Sequence, residues 1–112
     1  MSTRSQSANV AATLVLLIVH GFLLGATVVL LGLLVMVTDP CGAVKCGDPA
    51  WLDRATVLGI WAGAAVFLID IAASVYLLAK SKKAFVAPII GCVAQVGLAV
   101  GAAAMEWLAG PV

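Results

Sequence analysis

The sequence predicts an all-α integral membrane protein with three transmembrane helices. Three observations carry this expectation. The 112 residues are 64% hydrophobic and only 10% charged, against roughly 45–50% apolar and about 25% charged in an average soluble domain. Mean hydropathy is +1.22. The apolar residues are gathered into three runs, each long enough to cross a bilayer core of about 30 Å as helix. The same composition excludes other classes. Disorder needs low hydrophobicity and high charge. A soluble enzyme domain needs more polar side chains than this chain has to cover its surface. A net charge of +1 gives nucleic acid no basic face to bind. Residues 1–112 therefore read as a single membrane domain, with helices over about 10–38, 49–80 and 84–108 and an outer loop over 39–48.

The first run, Val10 to Val37, is broken only by Thr13, His20 and Thr27. At 1.5 Å per residue it would extend about 42 Å, so it must tilt or enter the headgroups. It is far longer than the apolar core of a signal peptide, and no small-x-small cleavage site follows it. It is expected to be a retained helix. The second run, Ala55 to Ala79, carries Thr56, Asp70 and Ser74, and the third, Ala84 to Met105, carries Gln95. Helix is the only conformation open to such runs, because unpaired amides in lipid cost several kcal/mol each. Alternating barrel strands are not visible.

Orientation follows from the basic residues, which favour the cytoplasmic side. Arg4 precedes the first run, and Lys80, Lys82 and Lys83 lie between the second and third. The opposite side carries Lys45 and Arg54 together with Asp39, Asp48 and Asp53. The N-terminus is expected in the cytoplasm and the C-terminus outside. Trp51 and Trp107 then fall at the outer interface, the depth that amphipathic rings prefer.

In the outer loop, Cys41 and Cys46 are each followed by glycine. An oxidising exterior favours a Cys41–Cys46 disulfide. Two reduced thiols or a metal site are the alternatives, although no histidine lies near enough to complete a ligand set. Asp48-Pro49 reads as a helix start, with Asp as N-cap and Pro at the first helical position. Cys92, alone in the third run, reads as a small buried packing residue.

Counted from the cytoplasmic ends of their runs, His20, Asp70 and Gln95 all lie about 15–17 Å deep. They are expected to share one intramembrane polar layer. Thr13, His20 and Thr27 recur every seven residues. At about 100° per residue, Thr56, Gly59, Gly63, Asp70 and Ser74 fall on one face of the second helix, opposite Val57, Trp61, Leu68 and Val75. In the third, Ala84, Pro88, Gly91, Gln95, Ala99, Ala102 and Glu106 share a face. Each run also contains one Gly-x-x-x-Gly pair: Gly21/Gly25, Gly59/Gly63 and Gly97/Gly101. Such pairs let helix backbones approach closely. Gly97 and Gly101 lie away from the Gln95 face, which gives the third helix a second packing surface.

A carboxylate at the depth of Asp70 must be neutral, paired or near water. It reads either as a proton-relay group with His20 as partner, or as a side chain that joins helices by hydrogen bonds. A polar group on another subunit is the third possibility. No phosphate-cradling loop, paired-His metal spacing or Ser-His-Asp set is present. One histidine is thin support for haem. The chain is therefore read as binding no cofactor alone, with lipid around it.

Three functions remain: a non-catalytic accessory or assembly subunit of a larger membrane complex, a small homo-oligomeric proton- or ion-coupled transporter using Asp70 and His20, or a membrane enzyme component such as a quinone-site anchor. The odd number of spans disfavours the inverted repeats that build many transporter sites. The Ala/Val/Gly-rich spans, short tails and outer loop Cys41-Gly-Ala-Val-Lys-Cys46-Gly-Asp-Pro resemble small membrane proteins of actinobacteria. In size and layout the whole chain resembles accessory subunits of the actinobacterial cytochrome bcc–cytochrome c oxidase supercomplex. That resemblance implies a multi-pass subunit of the bacterial plasma membrane, packed on oxidase helices within an oxidoreductase complex. It implies no haem or copper held by this chain and transfers no functional residue.

Overall fold

The computed structural model describes residues 3–112, with side chains from Ser5 onward. Three helices long and apolar enough to cross a membrane make up most of it. Helix α1 is Thr3–Leu34, continued by a 3₁₀ segment, Val35–Gly42. Helix α2 is Ala50–Ala79 and includes a π-helical stretch, Val57–Ala62. Helix α3 is Val86–Leu108. The rod measures 65 × 16 × 14 Å, so its ends stand well beyond a hydrocarbon core of about 30 Å.

Helix α1 begins seven residues before the apolar run that predicts it. The segment from Thr3 to Asn9, polar except for Ala8, continues the same helix past the apolar stretch. At the other end the helix tightens at Val35. Pro40 has no N–H for an α-helical bond and disfavours the α conformation before it. Thr38 Oγ donates to the carbonyl of Val35 at 2.8 Å. Helix α2 starts at Ala50, one residue later than expected: Pro49 rather than Asp48 holds the N-cap place and no side chain caps it, while Asp48 Oδ1 accepts from the Ala50 N–H at 2.9 Å in the turn just before. At the far end Ser81 takes φ 53°. There Lys82 N–H donates to Leu77 O and Ser81 N–H to Leu78 O, the paired bonds of a Schellman stop. Helix α3 begins at Val86, leaving Ala84 in the preceding turn.

The interior is mostly polar. Among the described residues, eight polar or charged side chains are buried against five apolar residues, of which four are alanine. Large apolar side chains point outward, as Trp61, Leu68 and Val93 do. Lipid is as apolar as leucine, so burying leucine drives nothing here. Close packing and interhelical hydrogen bonds hold the bundle. Gly59 and Gly63 permit close approaches between helices. A Cβ at Gly59 would collide with Leu31, and one at Gly63 would meet Leu24 at 3.0 Å and Gln95 at 3.2 Å.

One expected stripe residue falls elsewhere. Thr56 is exposed, its hydroxyl donating to Leu52 O at 3.0 Å, and Ala55 takes the buried place. The cause is the π-helical stretch just after it. A wider turn rotates each residue by less than 100°, so residues on the two sides of the stretch lose their α-helical phase.

The disulfide end forms a small cap. Cys41 and Cys46 are joined. Cys46 makes an isolated antiparallel bridge with Pro111, with Gly47 N–H donating to Gly110 O and Val112 N–H to Lys45 O, both at 3.0 Å. Gly47 must be glycine here, because a Cβ would sit on the carbonyl of Leu108.

Candidate functional site: the intramembrane polar column

Residues of all three helices build a column along the bundle axis. At the lysine end, Asn9 holds the turn between α2 and α3. Its Nδ2–H donates to Lys82 O at 2.6 Å, and its Oδ1 accepts from Ala84 N–H at 3.0 Å. Thr13, fully buried, donates to Asn9 O at 2.7 Å.

The centre is the pair His20 and Asp70. Nδ1 of His20 and Oδ2 of Asp70 share a hydrogen bond at 2.5 Å. Ser74 Oγ donates to Asp70 Oδ1 at 3.4 Å, and Phe67 meets the imidazole edge-on with centroids 4.9 Å apart. Exposure is 0% for His20 and 4% for Asp70. Imidazolium with carboxylate, or neutral imidazole with carboxylic acid, leaves the pair without net charge. Pairing of the two groups lowers the cost of burying them at this depth. His20 Nε2 has no partner among the described residues. Helix α3 presents Gly91 to the pair. A Cβ there would lie 2.5 Å from Asp70 Oδ2 and 2.8 Å from His20 Nδ1.

Gln95 does not share this layer, which corrects the expectation of one polar plane. It lies about one turn, four residues or about 6 Å, farther along α3 than Gly91. Its Nε2–H donates to Thr27 Oγ at 3.1 Å. Thr27 in turn donates to Leu23 O at 2.8 Å. The depth count took Val10 and Ala84 as level starts. Those starts are level, because Asn9 accepts from the Ala84 N–H; the offset arises farther in, where Gly91 meets the His20–Asp70 pair and Gln95 reaches on to Thr27. Beyond Gln95 an apolar plug of Leu31, Ala55 and Ala102 closes the column. Glu106 is buried past the plug with Oε2 unpartnered.

The glycine pairs divide. Gly59 and Gly63 face the interior, Gly21 touches Phe67 at 3.5 Å, and Gly101 touches Leu58 at 3.3 Å. Gly25, Gly32 and Gly97 face open space, with nothing within 4 Å of an added Cβ. Cys92 is half-buried and free, its thiol donating to Leu16 O at 3.8 Å. Among the described residues no group of three or more metal-ligating side chains forms.

Sequence reasoning missed Asn9, because it lies outside the apolar run. It stands four residues before Thr13, one turn along the Thr13–His20–Thr27 stripe, and extending that stripe would have found it. The pairing of residues 45–47 with 110–112 carries no side-chain signal, since it uses main-chain groups. Comparison with known proteins returns no matching family model, no matching curated protein and no matching solved structure.

Proposed function

We propose that this chain is a non-catalytic accessory or assembly subunit of a larger membrane complex in the bacterial plasma membrane. The respiratory cytochrome c oxidase supercomplex is the partner that its layout resembles. The observation that carries the subunit reading is the set of glycines facing away from the bundle. A glycine facing lipid adds neither apolar area nor packing, whereas small residues let a second helix approach closely. Gly32 and Gly97 offer such approaches on two helices. The polar side chains able to do chemistry are turned inward, and the His20–Asp70 pair is spent on joining α1 to α2.

Purification through a tag on the full chain in mild detergent is expected to recover larger membrane subunits. Gly97→Leu should lower that recovery without changing helix content. Recovery of the chain with lipid and its own copies alone would contradict the reading. A homo-oligomeric proton- or ion-coupled transporter is the second reading, favoured by the unpartnered Nε2 of His20. Proton flux into liposomes that Asp70→Asn abolishes would establish it; flux equal to that of empty vesicles would remove it.

A further inference from the structure

The turn between α2 and α3 lies at headgroup depth. Lys80 to Lys83 separate the apolar end of α2 from Ala84 and Phe85, where the apolar sequence resumes. So short a turn between two spans stays within the headgroup layer. Its shape is fixed. Ser81 takes φ 53°, and Asn9 of α1 binds both the Lys82 carbonyl and the Ala84 amide. Lys80, Lys82 and Lys83 are exposed around it.

No carboxylate answers these three charges. Among the described residues none of the lysines forms an ion pair. The nearest acid along α2 is Asp70, ten residues or about 15 Å away, and it is paired with His20. That exceeds a Debye length of about 10 Å at 0.1 M salt. The opposite end is different. There Lys45 and Arg54 sit among Asp39, Asp48 and Asp53, and Arg54 stacks on Trp51 at 4.7 Å. One end of the rod is balanced in charge, and the other presents a bare positive patch to the headgroups.

One of the lysines is aimed. Lys80 Nζ lies 5.9 Å from the centroid of the Tyr76 ring, which stands one turn back toward the hydrocarbon. The face of the ring attracts the ammonium and draws it toward the depth of the lipid phosphates. Tyr76 is exposed, and no described group bonds its hydroxyl. An ammonium and a phenol hydroxyl both donate, and a phosphate accepts with a full negative charge. We infer that the lysine turn binds the phosphate of an anionic phospholipid, with Lys80 and Tyr76 donating to it and Lys82 and Lys83 adding attraction. A zwitterionic phospholipid carries its own cation beside the phosphate, which the lysines repel, so the turn selects lipids without one. The inference goes beyond the proposed function and does not rest on it, because it concerns the chain and its bilayer alone.

Electron spin resonance tests it on the full-length chain in phosphatidylcholine vesicles that carry a trace of spin-labelled phosphatidylglycerol or phosphatidylcholine. The wild type is expected to hold phosphatidylglycerol about tenfold more strongly at low salt. Lys80→Gln should cut that preference about fivefold. Tyr76→Phe, which keeps the ring and loses one hydrogen bond, should cut it about threefold. Lys45→Gln makes the same charge change at the other end and should leave it unchanged. Salt at 1 M, which shortens the Debye length to about 3 Å, should lower it. Inorganic phosphate at matched ionic strength should not compete. Circular dichroism checks that all variants keep wild-type helix content. The inference is overturned by equal retention of the two lipids, by a preference that survives Lys80→Gln, by an equal loss on Lys45→Gln, or by competition from free phosphate.

Discussion

The disulfide cap and the middle of the bundle are held by different kinds of bond. The cap uses a Cys41–Cys46 crosslink and main-chain hydrogen bonds between residues 45–47 and 110–112. Main-chain bonds tolerate most side chains, with Gly47 the exception because the Leu108 carbonyl occupies the space of its Cβ. The middle uses side chains: His20 on Asp70, Ser74 on Asp70, Gln95 on Thr27. Each of those bonds names both partners. The cap lies where water can replace a lost bond, whereas the middle lies where nothing can. Substitutions should therefore be expensive and global in the middle, cheap and local in the cap.

The largest effect is expected at Asp70. Asp70→Leu leaves His20 buried with its Nδ1 unpaired, and removing one partner of a buried pair costs roughly 3 kcal/mol or more. An ordinary interhelical hydrogen bond in a membrane averages only about 0.6 kcal/mol. Reversible unfolding in bicelles separates these magnitudes, and a loss near the smaller value would make Asp70 an ordinary contact. Gly91→Ala comes next. It leaves both partners in place but forces a methyl against them, so a loss of about 2 kcal/mol is expected from overpacking. A neutral Gly91→Ala would mean that α3 is not held against the pair.

Asn9→Ala should cost about 1 kcal/mol. Its bonds go to the Lys82 carbonyl and the Ala84 amide at the lysine end, where water can take part of its place. Faster amide exchange at Ala84 with unchanged exchange around His20 is the expected pattern. The smallest effect on the bundle should follow reduction of Cys41–Cys46. Amides at Gly47 and Val112 should exchange faster while those of α1 and α3 at mid-bundle keep their protection. Loss of protection at mid-bundle would join the two regions that this comparison separates.

The parts legible in the sequence are those set by composition and side-chain period. The three spans follow from apolar run length, and the inward stripe of Thr13, His20 and Thr27 follows from its spacing of seven. The parts that were not legible depend on backbone geometry. The α1 start at Thr3 was hidden because a helix outlasts its apolar stretch when it leaves the membrane. Ala55 displaced Thr56 through a π-helical stretch that periodicity at 100° per residue cannot register. Counting residues from level span ends did not reveal that Gln95 pairs with Thr27 rather than joining His20 and Asp70.

The structural role of the polar middle is tested most directly by a double-mutant cycle on His20 and Asp70. Unfolding free energies in bicelles are measured for the wild type, His20→Leu, Asp70→Leu and the double variant. A coupling of about 1.5 kcal/mol or more is expected, with the double variant more stable than the sum of the single losses allows. Additive losses, with a coupling near zero, would contradict the claim that this pair holds the helices together.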